Sequence, residues 1–350
     1  MNKIYLEDLD NLTTLMDRVN ETPFTNFCKV TVLTTMNMRY EKIAFNHESE
    51  QEHPYIATSK IIKDSINQFK SMLELSFIED DNINIDKKKS GVLEEKHEEL
   101  WQEIWARHNE KEFQEFIDLK SMRLRVNALV QYVKDKDCVD FGSGNGSFAF
   151  ALLEEGAKSV SGIDFGTESV KYSQKISKVK GLDKVAIFKE GNVKDSQYDS
   201  DSFDFAVCNG VLHHLKESDI PVALKEIARV LKSGGWFWYY VDGRGAISMD
   251  LWDQTVKILK SVDILFIEKV LKLMNIRRNK MVHIMDGSSA TYLHTSYDEV
   301  TNMLSELGFH NFRRLTGATS TDFDLDVVES VPYGSEKFGT GDIRVICQLQ

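Results

Sequence analysis

No stretch of the 350-residue sequence is apolar for long enough to cross a bilayer, so a membrane span is not expected. The opening Met1-Asn2-Lys3-Ile4 leads straight into acidic positions with no apolar core behind it, so a secretory leader is not expected either. Cysteine is scarce. Cys28, Cys138, Cys208 and Cys347 are scattered, with no paired spacing that would mark a disulfide framework. Cys138, Cys208 and Cys347 lie inside apolar, strand-like runs, which predicts buried free thiols and fits a reducing, cytoplasmic setting. Positive charge is short as well. The 43 Lys and Arg face 55 Asp and Glu, a formal net charge of −12, which argues against a surface built to neutralise nucleic-acid phosphates but leaves room for a local basic patch.

What is present centres on Cys138-Val139-Asp140-Phe141-Gly142-Ser143-Gly144-Asn145-Gly146-Ser147. An apolar strand runs into a carboxylate, then into three glycines at alternate positions, then into Phe148–Leu153, which reads as a helix. Glycine allows tight turns and close approach of backbone to a ligand. A helix start offers free N–H groups and partial positive charge. The unit is a seat for a nucleotide-like molecule that carries an anion or a carboxylate.

Strand and helix alternate from there. Ser159–Asp164, Val185–Phe188, Phe203–Cys208 and Trp236–Val241 read as strands, with helices opened by Thr167 and Asp219; Gly234-Gly235 stops the second of these. The pattern predicts an α/β fold, a doubly wound and mostly parallel sheet with helices on both faces. Residues 244 to about 292 break the rhythm with apolar helical stretches at Leu251–Leu259 and Ile264–Met274. They are expected to form a helical insertion after the fifth strand, over the carboxyl ends of the strands where open α/β sheets bind ligands. Ser296 and Glu299 make a capping-box pair before a helix that Gly308 closes. Phe309–Leu315 and Ile343–Leu349, joined by a polar segment, complete a seven-stranded sheet as a terminal antiparallel hairpin.

Upstream, Ile4 to Val19 is spaced like an amphipathic helix, and so are Ile62, Ile66, Phe69 and Leu73. Cys28, Val30 and Val32 alternate with polar neighbours like a strand, and Tyr40–Phe45 is a second extended stretch. Together they predict a small N-terminal α+β segment, a candidate homodimer contact. Glu79 to Gly91 is a charged linker, so residues 1–90 form an accessory segment and 91–350 the main domain. Helices follow around Leu100, Trp101, Ile104 and Trp105 and over Val126–Val133. Lys120, Arg123 and Arg125 between them read as a solvated basic face.

From about residue 120 to the end, these features resemble the class I S-adenosylmethionine-dependent methyltransferases. Val139 to Gly146 is similar to the family's first motif and Asp164 to its second. Phe203-Asp204-Phe205-Ala206-Val207-Cys208-Asn209-Gly210-Val211-Leu212-His213-His214-Leu215 resembles the fourth-strand signature, and Leu231-Lys232-Ser233-Gly234-Gly235 the turn before the fifth strand. The rival on the same architecture is a nicotinamide-dependent oxidoreductase, but its G-x-G-x-x-G spacing would put the third glycine where Ser147 stands. A protein that binds the cofactor without transferring methyl is a further alternative. The resemblance implies that Gly142, Ser143, Gly144 and Gly146 approach the methionine part of the cofactor and that Asp140 holds its ammonium group. It implies that Asp164 accepts from the ribose hydroxyls, Phe165 lies on the adenine, Asn192 and Val193 meet its edge, and Asn209 sits beneath the amino-acid end. The reaction expected is methyl transfer to an oxygen or nitrogen of a small molecule, with no nucleic-acid partner. His213 and His214, adjacent and so a poor metal pair, are candidates for a base, and Arg244 for a residue facing the acceptor. No metal is expected. Tyr239, Tyr240, Asp242, His283, Asp286, Tyr292 and His294 are further acceptor-site candidates; Arg277, Arg278 and Lys280 read as a basic helix end matching the dipole.

Overall fold

A computed structural model describes residues 2–45, 52–75, 110–289, 292–319 and 322–350. The expected linker at Glu79–Gly91 and the helix around Trp101 and Trp105 lie outside the described residues. The chain divides into two compact units. One comprises residues 101–244, 292–327 and 340–350; the other comprises 1–100, 245–291 and 328–339.

The first unit holds a seven-stranded sheet: β1 (Asp137–Phe141), β2 (Ser159–Asp164), β3 (Ala186–Glu190), β4 (Phe203–Asn209), β5 (Leu231–Val241), β6 (Phe309–Arg314) and β7 (Ile343–Leu349). Their order is β3-β2-β1-β4-β5-β7-β6. β1 to β5 run parallel, and β7 runs antiparallel to both β5 and β6. The chain leaves β1 in one direction and returns on its other side at β4, so the order reverses between β1 and β4. Ligands of open α/β sheets bind beside such a reversal, at the carboxyl ends of the strands. Strand alternation sorts the core into two layers. Val139, Phe141, Ala206, Cys208, Phe237 and Tyr239 join one apolar cluster, and Cys138, Phe205, Val207 and Trp238 join the other.

Two expectations change in this unit. Gly234 and Gly235 lie within the irregular start of β5 rather than ahead of it, where the β4–β5 register shifts. The β6–β7 connection is not helix-free, since it contains Leu325–Ser330 and Gly334–Phe338. The polar part of that connection wraps a buried guanidinium. Arg344 donates to Asp322 (2.7 Å), Asp324 (2.7 Å) and Asp342 (2.8 Å). Arg123 reaches the same Asp322 at 2.8 Å and donates to the Gly317 carbonyl at 2.7 Å. Burial works to raise the Asp322 carboxyl pKa, and Arg344 with Arg123 outweighs it, so Asp322 is held below the usual carboxylate range.

The second unit is helical, and the α+β expectation fails there. Tyr5–Asp17, Pro23–Ala44 and Pro54–Glu74 are helices. Thr22 and Thr25 close a capping box, with Pro23 at the first helical position, and these start signals prevail over the alternation at Cys28–Val32. The alternation has another origin. Lys29, Leu33, Thr34, Met36 and Asn37 are buried as well, so this helix is enclosed over most of its circumference and shows no clean period. The insertion supplies three helices rather than two, Ile247–Leu259, Ile264–Leu273 and Arg278–Ser289, and they belong to the same unit as the N-terminal helices. Asn37 donates to Thr255 at 3.1 Å, and Tyr40 donates to the Lys337 carbonyl at 2.9 Å. All four cysteines are buried free thiols. Among the described residues no helix is long and apolar enough to cross a membrane.

Arg344→Met roughly keeps the length of the side chain and leaves Asp324 and Asp342 buried without an ion pair, while Asp322 keeps Arg123. We expect it to destabilise the sheet unit by about 3–5 kcal/mol, read as a lower urea midpoint by near-ultraviolet circular dichroism with far less change for the exposed Arg125→Met.

Candidate functional site

The glycine loop needs its glycines for conformation and for room. Gly142, Gly144 and Gly146 have φ of +71°, +49° and +82°, a region where a Cβ is strained. A Cβ on Gly146 would also stand 3.0 Å from the Phe188 ring, and one on Gly142 would overlap Val211. Asp164, at the end of β2, closes the loop. Its Oδ2 accepts from the Gly144 N–H and its Oδ1 from the Gly166 N–H, both at 2.8 Å. Gly146 then caps the Ser147–Glu154 helix, and the Ser147 N–H at its start donates to Asn145 Oδ1 at 3.1 Å.

Below the loop lies an unmatched acid. Asp140 is buried, and its Oδ2 has no hydrogen-bond partner. Burial, then the negative charge of Asp164, pushes its pKa up to about 7. The Ser143 hydroxyl is likewise buried without a partner. Lys120 is pushed the other way, down to about 7, by burial and then by Arg123 and Arg344, while Asp140 and Asp322 pull it back up. An orphaned carboxylate oxygen beneath an N–H-lined loop fits a ligand that brings a cation, as the ammonium of an amino acid does.

The basic run therefore divides. Arg125 is exposed and paired with Glu155, as a solvated residue should be, but Arg123 is buried and Lys120 is half-buried. Sequence carried a signal for this. Phe113, Ile117, Lys120 and Leu124 share one helical stripe of Glu110–Val126, so the lysine stands where an apolar residue is expected.

Around the loop the other cofactor candidates take distinct states. Phe165 follows β2 with half of its surface exposed, an apolar ring left for a flat partner to cover. Val193 is buried. The Asn192 Oδ1 accepts from the Lys194 N–H at 2.9 Å, a local turn that occupies the oxygen expected to face the adenine amine. Asn209 Oδ1 accepts from the Trp238 indole at 3.1 Å.

Three segments meet beside the loop, namely the turn after β4, the turn after β5 and residues 292–295. Leu293 N–H donates to the His213 carbonyl at 2.8 Å, which seats Tyr292 against both histidine rings at centroid distances of 5.1 and 4.7 Å. His213 is buried and half-buried His214 adjoins it, with their Nε2 atoms 3.1 Å apart. The Asp242 N–H donates to His213 Nδ1 at 3.2 Å, and the Tyr240 hydroxyl donates to Asp242 Oδ1 at 2.9 Å.

The remaining candidates disperse. Tyr239 is a core residue, because alternation along β5 turns it into an apolar layer. Arg244 pairs with Glu299, the residue that completes the Ser296 capping box, so its guanidinium serves a helix start. His283 and Asp286 lie on the Arg278–Ser289 helix of the helical unit, where Lys280 pairs with Glu41. Arg277 and Arg278 stand at the start of that helix rather than at the end of one, so the dipole does not account for them. Among the described residues no group of three or more His, Cys, Asp or Glu could hold a metal ion.

Known proteins bear on the same segment. A family described as "Methyltransferase domain" matches residues 139–239. The uncharacterized methyltransferase YcgJ of Bacillus subtilis is 33% identical over 99 residues, 28% of this chain and 38% of that protein. The tRNA U34 carboxymethyltransferase of Helicobacter acinonychis is 35% identical over 105 residues, 29% of this chain and 39% of its own. The ubiquinone biosynthesis O-methyltransferase of Nitrosospira multiformis is 27% identical over 164 residues, 46% of this chain and 64% of its own. The chain thus spans about two fifths of the length of the first two relatives. Glycine loop, orphaned Asp140 and Asp164 all fall within residues 139–239, the segment that matches the methyltransferase domain, and the sheet reverses between β1 and β4 beside them.

Proposed function

We propose that the protein transfers the methyl group of S-adenosylmethionine to an oxygen or nitrogen of a small-molecule acceptor. The observation that carries the reading is Asp140 Oδ2, buried and without a partner at the base of the glycine loop. A dinucleotide would bring phosphates toward this carboxylate, whereas the methionine end of the cofactor brings an ammonium. In this reading Asp140 holds the ammonium group, and Gly142, Ser143, Gly144 and Gly146 line the methionine. Asp164 accepts from the ribose hydroxyls, as a carboxylate suits a diol. Phe165 covers the adenine, with Val193 at its edge. Bound there, the cofactor supplies an electrophilic methyl on a sulfonium; the protein aligns the acceptor with it and excludes water.

A second reading has an RNA acceptor, and the relative named for tRNA modification favours it. The net charge of −12 weighs against it. Radiolabelled transfer to small phenols, carboxylates and amines, beside bulk tRNA at low and high salt, separates the two. Label in tRNA that is lost steeply with salt would displace the small-molecule reading.

Two outcomes test the cofactor site. Asp164→Ala frees the Gly144 and Gly166 N–H groups and removes the carboxylate. Calorimetry should show S-adenosylmethionine binding weakened by about 10- to 100-fold, the worth of one or two hydrogen bonds to a charged group. The second concerns protons. An acid at about 7 in the free protein is part-protonated in mildly acid buffer, and pairing with an ammonium lowers its pKa, so binding expels a proton. Titrations at about pH 6.5 in buffers of different ionisation heat should show proton release that fades by about pH 8.5 and is absent from Asp140→Asn. Affinity should rise across the same interval. Release unchanged in Asp140→Asn would remove Asp140 from the cofactor site.

A further inference from the structure

We infer that Lys120 is a carboxylate seat, filled by an acid group of the ligand that binds beside Asp140. The inference rests on the cofactor reading above and gives that site a residue it lacked.

Lys120 belongs to the stripe of the Glu110–Val126 helix that packs on the sheet. Phe113, Ile117 and Leu124 of that stripe join the apolar cluster of Cys138, Val207, Trp238 and Ile346. Side chains alternate along a strand. Asp140 lies two positions past Cys138, Asn209 two past Val207, Tyr240 two past Trp238 and Arg344 two before Ile346, so all four leave the sheet on the face this helix covers. Asn209 pairs with Tyr240 and Tyr240 with Arg344, which sets these three level at the carboxyl ends of the parallel strands. Asp140, paired with Val207, stands one step below them. Lys120 lies within electrostatic reach of both ends of this row. The charges that act on it most are Arg123, Arg344, Asp322 and Asp140, four buried groups, rather than the exposed Glu115 and Asp118 of its own helix.

A half-buried ammonium among such charges calls for a counter-ion. Among the described residues Lys120 makes no hydrogen bond and no ion pair. Asp322 is occupied by Arg123, Arg344 and Thr319. Asp140 does not serve either, since its Oδ2 is without a partner. A cation and an anion thus share one face of the sheet, each acting on the other and the two not bonded. Two charges already paired would need no ligand. Two held apart fit a ligand whose ammonium and carboxylate are joined through one carbon, as in an α-amino acid. The methionine end of the cofactor has that form. An acceptor that carries an acid beside its nucleophilic atom would meet the lysine with the same chemistry. Either carboxylate supplies the favourable charge that burial, Arg123 and Arg344 work against.

The test uses the full chain with two substitutions. Lys120→Met keeps the length of the stem, removes the charge and extends an apolar stripe, so its thermal midpoint should not fall. Lys120→Arg keeps the charge. Each is titrated calorimetrically with S-adenosylhomocysteine and with the analogue that lacks only its carboxylate, in mildly acid buffer where Lys120 holds its proton. With the cofactor as source, Lys120→Met weakens S-adenosylhomocysteine about tenfold or more and leaves the decarboxylated analogue within about twofold. Lys120→Arg recovers most of the loss. A merely structural role would weaken both compounds alike. With the acceptor as source, both variants bind the two compounds as the unmutated protein does. Benzoate, 4-hydroxybenzoate and octanoate then bind the S-adenosylhomocysteine-loaded protein about tenfold more weakly after Lys120→Met, and 4-ethylphenol and octanol do not. Equal loss on both cofactor analogues, or no loss on any carboxylate, overturns the inference while S-adenosylhomocysteine still binds and the cofactor reading stands. Failure of S-adenosylhomocysteine to bind the unmutated protein removes both.

Discussion

The hydrogen bonds from the Gly144 and Gly166 N–H groups to Asp164 are the constraint on which the rest of the site depends. A loop with three left-handed glycines in five residues has lost much conformational freedom and has few side chains to hold it. A buried carboxylate from the neighbouring strand supplies both fixed acceptors. The parallel register makes this possible, because Phe141 pairs with Ile163 and brings the ends of β1 and β2 level. Gly142 and Ser143 then donate to the Ile163 carbonyl at 2.8 and 3.0 Å, which carries the β1–β2 ladder into the loop itself.

Burial, and then the neighbouring charge of Asp164, acts on Asp140. Two carboxylates in a low-dielectric pocket disfavour a second negative charge, and Asp140 is the one left without a partner for an oxygen. The nearest compensation comes from Lys120, itself discouraged from charging by Arg123 and Arg344. Arg344 is committed to Asp322, Asp324 and Asp342. A line of buried charges thus runs from the glycine loop to β7. Arg123, Arg344, Asp322, Asp324 and Asp342 have direct ion pairs and, among the described residues, Asp140 and Lys120 have none, so the unbalanced end of the line is the end at the glycine loop.

The sheet could be read from the sequence because its signals are local. Strand alternation and the Ser296–Glu299 box each depend on residues a few positions apart, and the structure keeps them, while the Gly234-Gly235 signal shifts into the start of β5. The N-terminal helix Pro23–Ala44 could not be read that way. It is enclosed by Pro54–Glu74, Ile247–Leu259 and Ile264–Leu273, so much of what buries it comes from helices far downstream in the chain. With no exposed face a helix has no period of its own, and a run such as Cys28-Lys29-Val30-Thr31-Val32 imitates a strand. The buried charges fail for the related reason that Asp322, Asp324 and Arg123 are brought together with Arg344 by tertiary folding, not by spacing.

The histidine pair shows how far residue type alone leads. A histidine at the end of β4 reads as a base because imidazole titrates near neutrality. That reading takes the two ring nitrogens as equivalent. In His213 the Asp242 N–H makes them different, because it donates to Nδ1. A main-chain donor three positions after Tyr239 thereby sets the chemical character of a side chain on another strand's turn. Nothing in the string His213-His214 encodes it. It follows from the β4–β5 register, in which Asn209 pairs with Tyr240 and sets the turn after β5 level with the turn that carries the histidines.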